Sequence, residues 1–227
     1  MRTETNPSGR TQPWVMLLAL TTAFAMSQAF RTVAAVLATP LQAEFHLSPQ
    51  QLGTFAAAFH FAFGAMQLFV GIGIDLHGVR RTVLTGFPLA VAGAVLSALA
   101  PSYGALVFGQ MLIGIGCAPA FLACTVFIAR HFAPARFAAI SGTVMSLGGI
   151  GLLATGTPLA WLVQASSWRM GFWVLGGCSV VSMLSPSVFG RLDPGNDKRR
   201  RWLRCASPTR RESSDVRLRC SHYKPEW

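Results

Sequence analysis

Hydrophobic and polar positions fall along this chain in long blocks. Apolar runs of about 20 residues, the length of helix that crosses a bilayer, cover residues 14–38, 52–74, 82–100, 104–129, 137–163 and 170–190, and short polar connections separate them. The pattern predicts six transmembrane helices. Leu52 to Ile74 and Thr82 to Ala100 hold one ionisable side chain between them, His60, so in lipid their backbone hydrogen bonds must be closed within each helix. Strands of a membrane barrel would be about 10 residues of strict alternation; these runs are twice that, with Gly and Ala scattered through them. The fold class expected is an all-α membrane protein, a six-transmembrane-helix bundle over residues 14–190, with a segment 1–13 before it and a basic tail 191–227 after it.

Composition agrees. A soluble domain carries about a quarter charged residues, whereas this chain is 12% charged and 52% hydrophobic. Arg2 and Arg10 precede the first run, Arg80 and Arg81 lie in the second connection, and Arg130 and Arg136 follow the fourth run. The opposite connections hold Glu44 and His46, then Pro101 and Ser102, then Trp168 and Arg169. Basic residues collect on the cytoplasmic side, so both termini are expected in the cytoplasm, and the chain in the bacterial plasma (inner) membrane. The first apolar run is too long for a signal-peptide core and reads as a true first helix.

The net charge of +11 changes little. Eleven of the nineteen basic residues follow Gly190, with a run of Lys198, Arg199, Arg200, Arg201 and Arg204. Such a juxtamembrane segment contacts anionic lipid or is solvated, and no recognition fold accompanies it, so nucleic acid is not an expected partner. Cys117, Cys124 and Cys178 lie in spans and Cys205 and Cys220 in the tail, a distribution of reduced thiols rather than disulfides or metal ligands. Gly71-Ile72-Gly73 and Gly114-Ile115-Gly116 sit inside predicted helices without the strand that a phosphate loop requires. With no intramembrane carboxylate pair and no ligand cluster, no enzyme activity, metal or cofactor is expected.

The connection between the second and third spans carries more. Gly71, three residues, Asp75, two residues, Gly78, one residue, then Arg80 and Arg81 resembles the signature loop of the major facilitator superfamily. The family has a basic residue directly after the Asp, where this chain has Leu76. Glycine suits close helix approach and a tight turn, a carboxylate at a helix end accepts from the free amides of a neighbouring helix start, and an Arg pair faces the anionic leaflet. The resemblance implies that Gly71, Asp75, Gly78, Arg80 and Arg81 form a cytoplasmic latch holding two halves of a transporter together in its outward-open state.

Other segments fit the same resemblance, which covers residues 14–190. Gly114 and Gly116 match a glycine pair in the family's fourth helix, while Gln110 stands where the family often has Arg. Gly142 to Pro158 is rich in small residues, with Gly148, Gly149, Gly151, Gly156 and Pro158, and looks like the family's flexible fifth helix. Of these, Gly114, Gly116, Gly148, Gly151 and Pro158 are the expected sites of close packing and bending. Trp168, Arg169 and Phe172 resemble its entry to the sixth helix. Gln42 to His46 and Ala129 to Phe132 both close a helix with charge, His and Phe, an echo that fits two inverted three-helix repeats.

Polar groups inside spans are functional candidates by default. Arg31 in the first span and His60 in the second both fall near the midplane, counting about 1.5 Å per residue. An Arg there suits a carboxylate or another small anion through paired donors, His60 adds a hydrogen bond or a proton near neutral pH, and Gln28 and Gln67 are their neighbours. The expected function is transmembrane transport of a small, anionic solute by alternating access. The resemblance implies twelve helices with the solute between two six-helix bundles. The expectation is therefore a truncated permease whose tail is disordered and translated out of frame, and whose partners are the bilayer, the solute, and either a missing C-terminal half or a second copy. A self-sufficient homodimeric half-transporter and a membrane scaffold are the alternatives.

Overall fold

The computed structural model describes residues 8–189, and the tail with its cysteines and basic run lies outside them, as does the side chain of Arg80. Seven helices follow in chain order: α1 (Ser8–Val36), α2 (Ala38–Phe45), α3 (Pro49–His77), α4 (Val79–Ala98), α5 (Tyr103–His131), α6 (Pro134–Ala165) and α7 (Trp168–Phe189). There is no strand among the described residues. The helices α3, α4, α5 and α6 are each long and apolar enough to cross a membrane, and α1 with α2 makes a fifth such span with a 50° bend. The 22-residue α7 completes the bundle by packing on α4 and α1.

The bend falls at the end of the first apolar run, 14–38. Pro40 sits in the first turn of α2, has no amide to give to the carbonyl of Val36, and crowds it. The backbone breaks at Leu37, resuming with the Leu41 amide on the Leu37 carbonyl at 3.0 Å. The other helix starts follow from local chemistry. Ser48 caps α3 in a capping box with Gln51, with Pro49 in the first turn, and Ser102 accepts from the Ala105 amide at 3.4 Å at the start of α5. Between α3 and α4 a single residue, Gly78, turns the chain at φ 84°, ψ 161°, a conformation essentially reserved for glycine.

Helix α5 is the hub, packed against α4, α3 and α1, while α1 also packs on α6 and α7. It buries a continuous series that includes Leu106, Ile113, Cys117, Ala120, Cys124 and Phe127. Lipid offers no hydrophobic drive for helices to associate, so close van der Waals contact over small residues holds them. Any side chain at Gly116 would meet the Ala90 backbone, at Gly114 the Phe59 carbonyl, at Gly151 the Ala25 carbonyl, and at Gly148 the Phe24 ring. Pro158 is exposed on α6. Large apolar side chains, among them Phe61, Leu68, Phe69, Leu153 and Trp161, project outward from α3 and α6, the inverse of a soluble surface.

Candidate functional site

Polar groups in the middle of the bundle concentrate on α1. Ser27 is fully buried, and Gln28, Arg31 and Thr32 are half-buried. The Gln28 Oε1 and the Arg31 Nε are enclosed with no hydrogen-bond partner, while the enclosed Ser27 hydroxyl faces the Cys117 thiol of α5. Unpaired buried polar atoms cost about 1–3 kcal/mol each, so a cluster of them marks a place kept for something other than packing. Thr32, by contrast, is paired with the Thr155 hydroxyl of α6, which also donates to the Gly151 carbonyl at 3.0 Å.

The Arg31 guanidinium lies with its Cζ 4.4 Å from the centre of the Phe63 ring of α3, and Phe63 in turn stacks on Phe59 at 5.9 Å. No acidic side chain pairs with Arg31 among the described residues. A half-buried cation without a counter-ion, backed by an aromatic face, can accept an anion through its remaining donors.

The other expected site residues separate. Gln28 is one turn from Arg31 on the same helix. Gln67 donates its Nε2 to the Ala118 carbonyl at 3.3 Å, tying α3 to α5. His60 is exposed on α3, its Nδ1 lies 3.0 Å from the Ala56 carbonyl of its own helix, and its ring meets Phe59 edge-on. Sequence reasoning missed Phe63, because α3 also carries Phe55, Phe59, Phe61 and Phe69 and periodicity singles out none of them. Gln110, which stands where the family often has Arg, is fully buried with neither polar atom of its amide partnered. Among the described residues no three His, Cys, Asp or Glu side chains gather as a metal site.

At one end of the bundle stands the α3–α4 turn. Asp75 accepts from Arg130 Nη2 of α5 at 3.0 Å, a partner the sequence reading had counted only among the basic flanks. A side chain at Gly71 would come no closer than 4.0 Å to Leu122, ordinary contact, so the conformational demand of this motif rests on Gly78. Arg81 is exposed. The start of α1 reaches the same end, where Trp14 meets Phe132 at 4.9 Å.

The opposite end is closed by Glu44, in the last turn of α2 beyond the apolar run. Its carboxylate accepts from the Trp168 indole and pairs with Arg169 at 2.8 Å, while Phe45 packs on the Trp168 ring at 6.0 Å. The Trp168 hydrogen bond, with the Arg169 charge, holds the Glu44 carboxyl below its ordinary range.

The family model described as Major Facilitator Superfamily matches residues 18–206. The chain belongs to the major facilitator superfamily. Its place in that superfamily makes it an integral membrane protein of a transporter family, not of an enzyme family, and the helical bundle carries the expected fold. Relatives bear this out. The chain is 26% identical over 173 residues to a galacturonate transporter of Dickeya chrysanthemi, a match covering 74% of this chain and 49% of that protein. It is 27% identical over 164 residues to a probable sulfoacetate transporter of Cupriavidus necator, covering 72% and 38%. An MFS efflux transporter of Emericella nidulans is 23% identical over 156 residues, covering 69% and 30%. The chain thus aligns with half or less of the length of these superfamily relatives.

Proposed function

We propose that this chain forms one six-helix half of an alternating-access transporter for a small organic anion bearing a carboxylate or sulfonate, with Arg31 as the anion contact. The observation that carries the reading is the half-buried Arg31 guanidinium in mid-bundle, stacked on Phe63 and without an acidic partner among the described residues. Support comes from two relatives named for acids, galacturonate and sulfoacetate, and from the absence of any Asp or Glu well inside a span, which leaves the Arg31 charge for a solute. Gln28, one turn before Arg31 on α1, is the neutral group proposed for the rest of the solute.

A complete solute cavity in this superfamily is shared by two bundles, so transport by this chain calls for a second six-helix unit, a C-terminal half or another copy. The Asp75–Arg130 end, with Arg80 and Arg81, is then the cytoplasmic face and acts as the latch, and the Glu44–Trp168 end faces outward. Uptake of radiolabelled galacturonate into proteoliposomes tests the proposal. The wild-type chain, with the second unit co-reconstituted, accumulates label, and Arg31→Gln inserts normally but accumulates none. Equal uptake by the variant would sink the proposal.

A further inference from the structure

The structure assigns Phe63 a positioning role: its ring holds the Arg31 guanidinium in place of a carboxylate, keeping the anion contact oriented without neutralising it. The inference rests on the reading of Arg31 as the anion contact, and it starts from a difficulty that reading leaves open. A long, flexible cation in the middle of a span, with no acidic partner, should swing along its stem toward the membrane surface. A carboxylate beside it would prevent that, but would also occupy the donors that an anion needs and cancel the charge.

An aromatic face avoids both problems. The ring quadrupole attracts the cation over its face while the edge of the guanidinium remains available for hydrogen bonds. Here the Arg31 Cζ lies 4.4 Å from the Phe63 centroid, well inside the range of about 6 Å for this attraction. Phe63 is itself immobilised, stacked at 5.9 Å on Phe59, whose side chain is 2% exposed and whose carbonyl abuts Gly114 of the central helix α5. The chain Arg31–Phe63–Phe59–Gly114 therefore ties the orientation of a side chain on α1 to the packing of α3 on α5. The Nε is enclosed without a hydrogen-bond partner, and the residue as a whole is only partly buried, so part of it can still meet a solute. A binding group fixed beforehand loses less freedom when the ligand arrives.

The test uses the full chain in lipid nanodiscs, with fluorinated phenylalanines at position 63. Successive fluorines weaken the ring quadrupole and leave its shape nearly unchanged, so a purely steric role predicts no trend. Arginine-selective nitrogen NMR, with Arg31 identified by its loss in Arg31→Lys, reads guanidinium order directly, and titration with galacturonate reads affinity. The expected result is that Arg31 order and galacturonate affinity fall together across the series, to about a tenth of the wild-type affinity at the trifluorinated ring. Phe63→Leu should behave like the most fluorinated ring, and Phe63→Trp should restore both readings. Arg31 signals and affinity that stay flat across the series, or that Phe63→Leu leaves unchanged, overturn the assignment. Galacturonate binding that survives Arg31→Gln sinks the anion reading itself, and the NMR series still decides whether the ring holds the cation.

Discussion

Asp75 and Arg130, 55 positions apart in sequence, meet at 3.0 Å where α3 and α5 end on the same side of the bundle. The contact joins the motif that identifies the superfamily to the central helix, although the two residues share no local sequence pattern. Its side chains are 75% and 47% exposed, respectively, and an ion pair in that setting contributes at most about 1 kcal/mol. A pair of that strength is not what holds the fold together.

The first prediction follows. In a double-mutant cycle, Asp75→Asn and Arg130→Ala each lower thermal stability in detergent only slightly, and the coupling energy stays below about 1 kcal/mol and shrinks further in high salt. In the proposed transporter, with its second unit supplied, the same substitutions should change galacturonate flux more than they change stability. Calorimetry and flux on one set of preparations check both parts.

The glycines of the same hairpin separate by backbone conformation. Gly78→Ala places a Cβ at φ 84° and should cost about 1–3 kcal/mol, read as a lower unfolding midpoint. Gly71→Ala, with its nearest neighbour 4.0 Å away, should be neutral or slightly stabilising, since alanine is the better helix former by about 1 kcal/mol.

A third prediction concerns the helix interfaces. Gly116→Ala drives a methyl group into the backbone at Ala90, which cannot yield as a side-chain tip can, so the α4–α5 packing should loosen at a cost of about 1–3 kcal/mol. Gly142→Ala, with nothing within 4 Å of the new Cβ, should leave the unfolding midpoint of the six-helix domain unchanged or slightly raised.

These contrasts show how far the sequence could be read. The six spans and the hairpin were legible because hydrophobic blocks and the Gly–Asp–Gly–Arg spacing are local signals. The glycines of the fifth and sixth helices of the chain order, α5 and α6, were legible as small residues. Which neighbour each one meets was not, because that depends on helix rotation. Arg31 stood out as a charge among apolar residues, whereas Phe63 did not, because a phenylalanine in a phenylalanine-rich helix carries no mark of its partner. The break at Leu37 had a signal in Pro40, two residues past the apolar block. The Asp75–Arg130 and Glu44–Trp168 contacts are long-range pairings that no single-sequence periodicity encodes.

Glu44 gives a pH prediction with a definite sign. Its carboxyl is held below the ordinary range by the Trp168 indole and by Arg169, so the folded state favours the ionised form. The resulting stability is present above the usual carboxylate pKa of about 4.3 and is lost as pH falls through the lower folded value. With 40% of the side chain exposed, the effect should stay below about 1 kcal/mol. Wild type should therefore be slightly more stable than Glu44→Gln at pH 7, and the two curves should converge on acidification. A difference that grows toward low pH would contradict the assignment.

The proposed function depends most on Arg31 acting as an anion contact. Its most direct measurement is calorimetric titration of the full chain in nanodiscs with galacturonate and with galactose, the uncharged sugar of the same shape. Galacturonate should bind and galactose should not, and Arg31→Gln, folded and inserted like wild type, should weaken galacturonate by about a hundredfold, the range for losing a charge-assisted contact. Equal binding of the acid and the neutral sugar, or undiminished galacturonate affinity in Arg31→Gln, would contradict it.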